Sequence, residues 1–233
     1  MFFLMANNYF QFRQFIIRQD RCGMKVGTDG TLLGAWAHGG MRILDIGTGT
    51  GLIALMLAQR FPQAQITGID IDNEACEQAK ENVAASPFPH VRIERMDLNE
   101  MEGEFDCVVS NPPYFNDSLL CPDEQRALAR HTASLSFADL MRSAWRLLTD
   151  DGEFSLIIPS EGKSMIESEA ALNGFFKVRE CAVKTTSRKA PRRYLLAYRK
   201  HPVEMPEVSV GIIQDECNMR SAWYQQLTKD FYL

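Results

Sequence analysis

The sequence predicts a doubly wound α/β fold. Short runs rich in β-branched residues alternate with segments whose apolar residues recur at helical spacing. This alternation is typical of a mostly parallel sheet whose strands are joined by right-handed helical crossovers, with helices on both faces. The chain of 233 residues is long enough for one core of this kind.

Seven strands are expected, most of them parallel. The first five are Arg42–Ile46, Gln65–Asp70, Val91–Met96, Phe105–Val109 and Glu153–Ile158. Helical patterns lie between them at Leu52–Arg60, Asn73–Ala85 and Phe137–Leu148. The pattern then changes, because Phe175–Val183 and Arg193–Tyr198 look like two strands joined by a basic loop. We expect these two to form an antiparallel hairpin at one edge of the sheet.

Composition restricts the class of protein. The net charge of -5 means that any nucleic-acid contact must use a local basic patch. Six scattered cysteines without a Cys-x-x-Cys pair indicate a reducing cytoplasm rather than disulfides or zinc. The four histidines are too dispersed for a metal site or a catalytic triad, so no metal is expected. The short apolar start is a poor signal peptide, and nothing approaches a membrane span.

A glycine-rich turn follows the first strand of the predicted sheet. Asp45 opens it, and Gly47, Thr48, Gly49 and Gly51 follow. Glycines at such a strand-to-helix turn let the backbone approach a ligand closely. The alternating glycines and the opening acid favour S-adenosylmethionine over a dinucleotide, which is the rival cofactor.

Acidic residues end the next two strands and complete a nucleoside site. Asp70, followed by Ile71, can accept hydrogen bonds from both ribose hydroxyls. Asp97 is placed to read an adenine amino group, with Leu98 packed on the ring. A plain strand-ending turn is an equally good interpretation of Asp97, since Asp is common in turns.

The tetrapeptide Asn111-Pro112-Pro113-Tyr114 stands at the end of the fourth strand. Prolines cannot donate to a sheet ladder, so the chain leaves the sheet here with carbonyl groups available. The Asn111 amide oxygen and the Pro112 carbonyl can accept both hydrogens of a planar NH2 group, and Tyr114 offers a ring face for an aromatic base. This chemistry indicates nitrogen methylation, while the alternative for an isolated match is a simple turn.

These motifs, in this order, resemble the class I S-adenosylmethionine methyltransferases that act on amino groups. A closer resemblance, to the bacterial tRNA(Val) adenine-N6-methyltransferases, extends over nearly the whole chain. It is carried by Phe10-Gln11-Phe12-Arg13-Gln14-Phe15, by Asp20 to Gly30, by Leu33-Gly34-Ala35-Trp36, and by Ser221-Ala222-Trp223-Tyr224 with Asp230-Phe231-Tyr232-Leu233 near the C-terminus.

The resemblance implies a Rossmann-like methyltransferase fold and methylation of N6 of adenosine 37, beside the anticodon of valine tRNA. It also implies that Lys25 to Asp29 lie over the methionine end of the cofactor, with Thr28 and Asp29 near its amino group. The alternative for Thr28 and Asp29 is a helix cap. We expect one methyltransferase domain over residues 1–233, with a covering segment at 1–40, a catalytic core at 41–200 and a C-terminal extension at 201–233. A monomer is favoured.

Contacts to tRNA are expected from positive residues near the pocket. They are Arg126, Arg130, His131, Lys184, Arg188, Lys189, Arg192 and Arg193. A basic loop of this kind suits phosphate contacts, which give affinity without sequence readout. A merely solvated charged face is the alternative.

Three other functions are alternatives for this pattern of motifs. Glutamine-N5 methylation of release factors presents the same planar NH2 group, although the usual N-terminal helical domain is missing. DNA adenine methylation lacks a visible target-recognition domain. The third possibility, a non-catalytic RNA-binding protein, is disfavoured because the cofactor and target motifs occur together.

Overall fold

An eight-stranded mixed sheet organises the protein. A computed structural model describes residues 8–22, 25–113 and 135–233. The sheet strands are β3 (Arg42–Ile46), β4 (Gln65–Asp70), β5 (Arg92–Arg95), β6 (Phe105–Ser110), β7 (Leu148–Pro159), β8 (Phe176–Lys184), β9 (Arg193–Arg199) and β10 (Glu207–Ile212). Their order in the sheet is β10-β8-β9-β7-β6-β3-β4-β5, and a separate antiparallel hairpin of two strands precedes them in the chain.

Six α-helices are described. They are α1 (Thr28–Trp36), α2 (Leu52–Arg60), α3 (Asn73–Ala84), α4 (Phe137–Leu147), α5 (Lys163–Leu172) and α6 (Ala222–Thr228), and a 3-10 turn at Ser160–Gly162 precedes α5. The hairpin strands are β1 (Tyr9–Gln11) and β2 (Ile16–Arg18). Among these helices none is long and apolar enough to cross a membrane.

The predicted doubly wound sheet is confirmed. Strands β5, β4, β3, β6 and β7 run parallel, and β9 pairs antiparallel with both β7 and β8. All seven predicted strands are present, with ends that differ by a few residues. The structure adds β10, which pairs parallel with β8 and takes the edge position that was expected for the hairpin.

Buried residues form one core on each face of the sheet. Ile43 belongs to the core with α1, α2 and α6, whereas the next residue, Leu44, belongs to the core with α4 and α5. On β9, Leu195 likewise belongs to the first of these cores and Leu196 to the second. Successive strand residues point to opposite faces, so a strand covered on both sides needs apolar residues throughout.

The two terminal segments pack together against one of these cores. The Arg13 backbone N–H donates to the Phe231 carbonyl at 2.8 Å, and the Phe12 ring stacks on Tyr232 with centroids 5.8 Å apart. The hydroxyl groups of Tyr224 and Tyr232 form a hydrogen bond of 2.8 Å. These contacts join the β1–β2 hairpin to the C-terminal residues and to α6.

A buried ion cluster joins β7, β8 and β9 away from the cavity described below. Glu153 Oε1 accepts from Arg179 at 2.8 Å, and its Oε2 accepts from Arg199 at 3.0 Å. The Arg179 guanidinium lies 3.8 Å from the centre of the Trp36 ring. Burial raises the pKa of Glu153, but the contacts with His38 and Arg179 outweigh burial and hold it at about 2.

Candidate active site

One large cavity opens where the parallel strands end. Its volume is about 860 Å³. The segments that follow β3, β4, β5 and β6 line it, together with the first turn of α1 and the first residue of β9. In open α/β sheets, ligands bind outside the carboxyl ends of the strands, where neighbouring connections diverge. The topology therefore makes this cavity the candidate active site.

The glycine-rich turn forms the floor of the cavity. Gly47, Gly49 and Gly51 have φ angles of +70°, +54° and +80°, in the left-handed region that favours glycine. The backbone N–H groups of Gly47 and Thr48 both donate to the Ile69 carbonyl at 2.9 Å. The turn is thus attached to β4 and leads into α2, whose N-cap residue is Gly51.

Asp45 supports the turn from beneath and does not line the cavity wall. Its Oδ2 accepts from Thr48 Oγ1 at 2.7 Å and from the Ala54 N–H at 3.2 Å. Oδ1 is buried and has no hydrogen-bond partner among the described residues. Burial raises the pKa of Asp45 to about 7. Gly51 is likewise absent from the wall and packs near Ala79.

Asp70 ends β4 on the cavity wall. Its Oδ2 accepts from the Gly49 N–H at 2.9 Å, and its Oδ1 accepts from the Asp72 N–H at 3.0 Å. Burial raises its pKa, and these two backbone bonds oppose that effect. Ile71 follows on the wall and stays 41% exposed. A carboxylate has about four acceptor sites, so Asp70 can also bind hydroxyl groups.

Asp97 and Leu98 line the same cavity after β5. Asp97 Oδ1 accepts from the Asn99 N–H at 2.9 Å and from its side-chain amide at 3.0 Å. This is the side-chain turn that was the alternative interpretation of Asp97. Because the residue also lies on the wall, both roles are compatible with its position.

Asn111 and Pro113 bring the tetrapeptide to the cavity, and Pro112 between them is buried. The preceding residue, Ser110, donates through Oγ to the Ile46 carbonyl at 3.0 Å. This bond ties the end of β6 to the end of β3 and fixes Asn111 beside the glycine-rich turn. Tyr114 lies outside the described residues.

The first turn of α1 closes one side of the cavity. Lys25, Thr28 and Asp29 line it, as does Gly27. Gly27 is the N-cap residue of α1, and among the described residues no side-chain hydrogen bond caps this position. The interpretation of Thr28 and Asp29 as the helix cap is therefore wrong, because the helix begins at Thr28 itself.

A buried amide holds the N-terminal hairpin against the glycine-rich turn. Asn82 on α3 accepts from the Arg18 N–H at 2.8 Å and donates to the Arg18 carbonyl at 2.9 Å. The same amide nitrogen donates to the Thr50 carbonyl at 2.9 Å. These bonds hold the end of β2 next to the turn, and Cys22 Sγ lies 3.8 Å from the position of a Cβ at Gly49. No sequence pattern around Asn82 indicates this role.

The basic loop between β8 and β9 lies at the same edge of the sheet. Arg193, which follows the loop as the first residue of β9, pairs with Pro159 at the end of β7. Arg188, Lys189 and Arg192 are exposed, and Lys184 is half-buried. Arg193 differs from them, because it lines the cavity and its Nε donates to Asp29 Oδ2 at 2.6 Å. Arg126, Arg130 and His131 lie outside the described residues.

No group of three or more His, Cys, Asp or Glu side chains suited to a metal ion occurs in the described ranges. Several cavity residues had not been predicted as site residues. They include Cys22, Met96, Asn99, Leu135 and Asp139. Asp139 lies in the first turn of α4, where Ser136 caps the helix. Its proximity to the cavity depends on how α4 packs, which no local pattern reveals.

Comparison with known proteins agrees with this geometry. Residues 31–189 match the family model described as the methyltransferase small domain. A protein of Phocaeicola vulgatus named tRNA1(Val) (adenine(37)-N6)-methyltransferase is 48% identical, with 98% of this chain and 99% of that protein covered. A protein of Parabacteroides distasonis with the same name is 46% identical, with the same coverage. The chain belongs to this methyltransferase family.

Solved structures show the same fold at lower identity. A structure described as a predicted O-methyltransferase from Agrobacterium tumefaciens has a TM-score of 0.68 at 19% identity, and the match covers 87% of this chain and 96% of that one. TrmN from Thermus thermophilus has a TM-score of 0.54 at 23% identity, with coverage of 73% and 47%. The fold and the family resemblance predicted from the sequence are therefore both confirmed.

Proposed function

We propose that this methyltransferase uses S-adenosyl-L-methionine to methylate N6 of adenosine 37 in tRNA1(Val). The names of the relatives support the substrate. The observation that carries the proposal is that Asn111 shares one cavity with Gly47, Gly49 and Asp70. The residues suited to an amine and those suited to a nucleoside cofactor thus face the same space.

The residues present fit the cofactor. The cavity volume of about 860 Å³ falls within the usual range for small-molecule sites, about 300–1,000 Å³. Glycines with positive φ supply the bare backbone that a nucleoside can approach. We assign the ribose hydroxyls to Asp70, and the adenine to Asp97, Leu98 and Ile71. Lys25, Thr28 and Asp29 lie toward the amino-acid end, and Asp45 acts by holding Thr48.

Asn111 and Pro112 orient the target amine in this proposal. S-adenosyl-L-methionine, when bound, supplies an electrophilic methyl group on a positively charged sulfur. The Asn111 amide oxygen and the Pro112 carbonyl accept the two N–H groups of the amine and direct its nitrogen toward the methyl group. The same bonds stabilise the positive charge that develops on the nitrogen. The amine nitrogen takes the methyl group as the bond between sulfur and that carbon breaks, and it then releases one proton to water.

The substrate base must leave its stack to reach Asn111. Turning a base out costs a few kcal/mol, and stacking on an aromatic ring offsets about 1–3 kcal/mol of that cost. The sequence assigns this stacking to Tyr114. It also assigns Arg126, Arg130 and His131, which follow in the chain, to contacts with the RNA.

Phosphate contacts are assigned to the basic loop. Lys184, Arg188, Lys189 and Arg192 come just before Arg193 in the chain, and Arg193 lines the cavity, which supports this assignment. With a net charge of -5, the protein offers positive potential only in local patches. The loop therefore supplies affinity, and the cavity selects the base. We expect a monomer that acts in the cytoplasm.

The test is methyl transfer from labelled S-adenosyl-L-methionine to unmodified valine tRNA. We expect the wild-type protein to transfer and Asn111→Ala to lose at least about a hundredfold in rate, as for other groups that stabilise developing charge. Asn173→Ala is the matched control, because Asn173 lies at the C-terminal end of α5 and does not line the cavity. Transfer only to a release factor would assign the glutamine activity instead. Cofactor binding without any transfer would indicate a non-catalytic RNA-binding protein.

A further inference from the structure

A charge pair lies inside the cavity, far apart in sequence and close in space. Arg193 Nε donates to Asp29 Oδ2 at 2.6 Å across 164 positions of the chain. The side chains are 34% and 21% exposed, and both residues line the cavity. Arg193 comes from the start of β9, whereas Asp29 comes from the first turn of α1.

The strand order places this pair on one side of the cavity. Along the carboxyl edge, β5 and β4 carry Asp97 and Asp70, β3 carries the glycine-rich turn, β6 carries Asn111, and β9 carries Arg193. The acids assigned to adenine and ribose therefore lie at one end. Asn111 lies between them and the Arg193–Asp29 pair, so the pair faces the part of the cofactor beyond the reacting methyl group.

That part of the cofactor is an α-amino acid, which carries an ammonium and a carboxylate on the same carbon. Asp29 presents a carboxylate and Arg193 a guanidinium from neighbouring positions on one wall. A guanidinium offers a planar fork of N–H donors that matches a carboxylate, and a carboxylate can accept from an ammonium group. The two side chains are thus complementary to both charges of a zwitterion.

We propose that Arg193 binds the carboxylate of the cofactor's amino-acid end while Asp29 binds its ammonium group. The proposal rests on the proposed use of S-adenosyl-L-methionine. It separates Arg193 from Lys184, Arg188, Lys189 and Arg192, with which the sequence had grouped it as a tRNA contact. Arg193 then determines specificity for the intact cofactor over nucleosides without the amino-acid end.

The test measures binding of two nucleosides in the absence of tRNA by titration calorimetry. S-adenosyl-L-homocysteine carries the amino-acid zwitterion, and 5′-methylthioadenosine lacks it. We expect Arg193→Gln to raise the Kd for S-adenosyl-L-homocysteine at least about tenfold and to leave the Kd for 5′-methylthioadenosine within about twofold. Asp29→Asn should show the same selectivity. Arg192→Gln, the adjacent exposed arginine, should change neither.

Three results would overturn the assignment. In one, Arg193→Gln raises the Kd of both nucleosides equally, which is the effect of a purely structural ion pair. In another, it changes the Kd of neither nucleoside. In the third, Arg192→Gln has the same selective effect. Failure of the wild-type protein to bind either nucleoside would instead overturn the proposed cofactor, so the two failures can be told apart.

Discussion

Asp70 accepts a hydrogen bond from the backbone N–H of Gly49 at 2.9 Å, which joins the end of β4 to the glycine-rich turn. One carboxylate therefore shapes the turn and faces the space assigned to the ribose. Gly49 has a φ of +54°, so the direction of its N–H depends on a conformation that other residues rarely adopt. The two halves of the candidate cofactor site are thus held in one arrangement before any ligand binds.

Replacement of Asp70 tests this double role. We expect Asp70→Ala to raise the Kd for S-adenosyl-L-homocysteine by about tenfold or more, because charge-assisted hydrogen bonds contribute about 1.5–3 kcal/mol. Calorimetric titration measures the change. Asp150→Ala is the control, since that carboxylate is 85% exposed near the start of β7 and does not line the cavity. Equal affinities of the Asp70 variant and the wild type would contradict the assignment.

Gly68 on β4 makes room for Thr48. A Cβ at Gly68 would lie 2.6 Å from Thr48 Oγ1 and 2.9 Å from Ile93 Cδ1. We expect Gly68→Ala to lower the free energy of unfolding by about 1–3 kcal/mol, as overpacked cores do. Thr48 would also lose its bond to Asp45. Urea unfolding should show the decrease, whereas Gly162→Ala, whose Cβ would meet the Phe137 ring at 3.7 Å, should be nearly neutral. Equal effects of the two substitutions would refute this packing of the turn against β4.

Asp45 should make stability depend on pH. Burial raises its pKa from 3.8 to about 7, so the folded protein binds this proton more tightly than the unfolded chain. The resulting stabilisation is fully present below about pH 4 and is lost as the pH rises through about 7. We expect the free energy of unfolding of the wild type to fall between about pH 4 and pH 7 relative to that of Asp45→Asn, by about 1.4 kcal/mol for each pH unit. Parallel pH profiles of the two proteins would show that Asp45 is not the group responsible.

The exposed residues of the basic loop should contribute to binding of tRNA and not to binding of the cofactor. We expect Lys189→Gln combined with Arg192→Gln to weaken tRNA binding and to reduce the salt dependence of the binding constant by about one unit of slope for each phosphate that is no longer neutralised. Binding of S-adenosyl-L-homocysteine should not change. Filter binding over a range of salt concentrations measures the slope. Lys80→Gln combined with Arg42→Gln removes two exposed cations from other surfaces and should leave the slope intact.

The central strands could be predicted because both faces of each strand are covered. Arg42–Ile46 and Gln65–Asp70 have the bounds expected from their apolar runs. Strand β10 has a weaker pattern, since Val208 and Val210 are 70% and 54% exposed at the sheet edge. The β1–β2 hairpin has strands of three residues, and its position depends on Asn82 and the C-terminal aromatic residues rather than on local sequence.

The candidate site likewise contains residues that could be predicted from the sequence and residues that could not. Residues in strand-end motifs, such as Gly47, Asp70 and Asn111, could be predicted because the carboxyl ends of parallel strands meet at one edge. Arg193 could not be assigned, because only the antiparallel pairing of β9 brings it to Asp29. Asp45 occupies the expected motif position, but its side chain lies below the turn and supports Thr48. The division into residues 1–40, 41–200 and 201–233 stays a prediction.

The most direct test of the proposed function is the position of the methyl group in the RNA product. The wild-type protein, S-adenosyl-L-methionine and valine tRNA transcripts with either adenosine or guanosine at position 37 would be incubated, and anticodon-loop fragments analysed by mass spectrometry. We expect N6-methyladenosine at position 37 of the first transcript and no methylation of the second. Methylation at another position, or equal methylation of both transcripts, would contradict the proposed function.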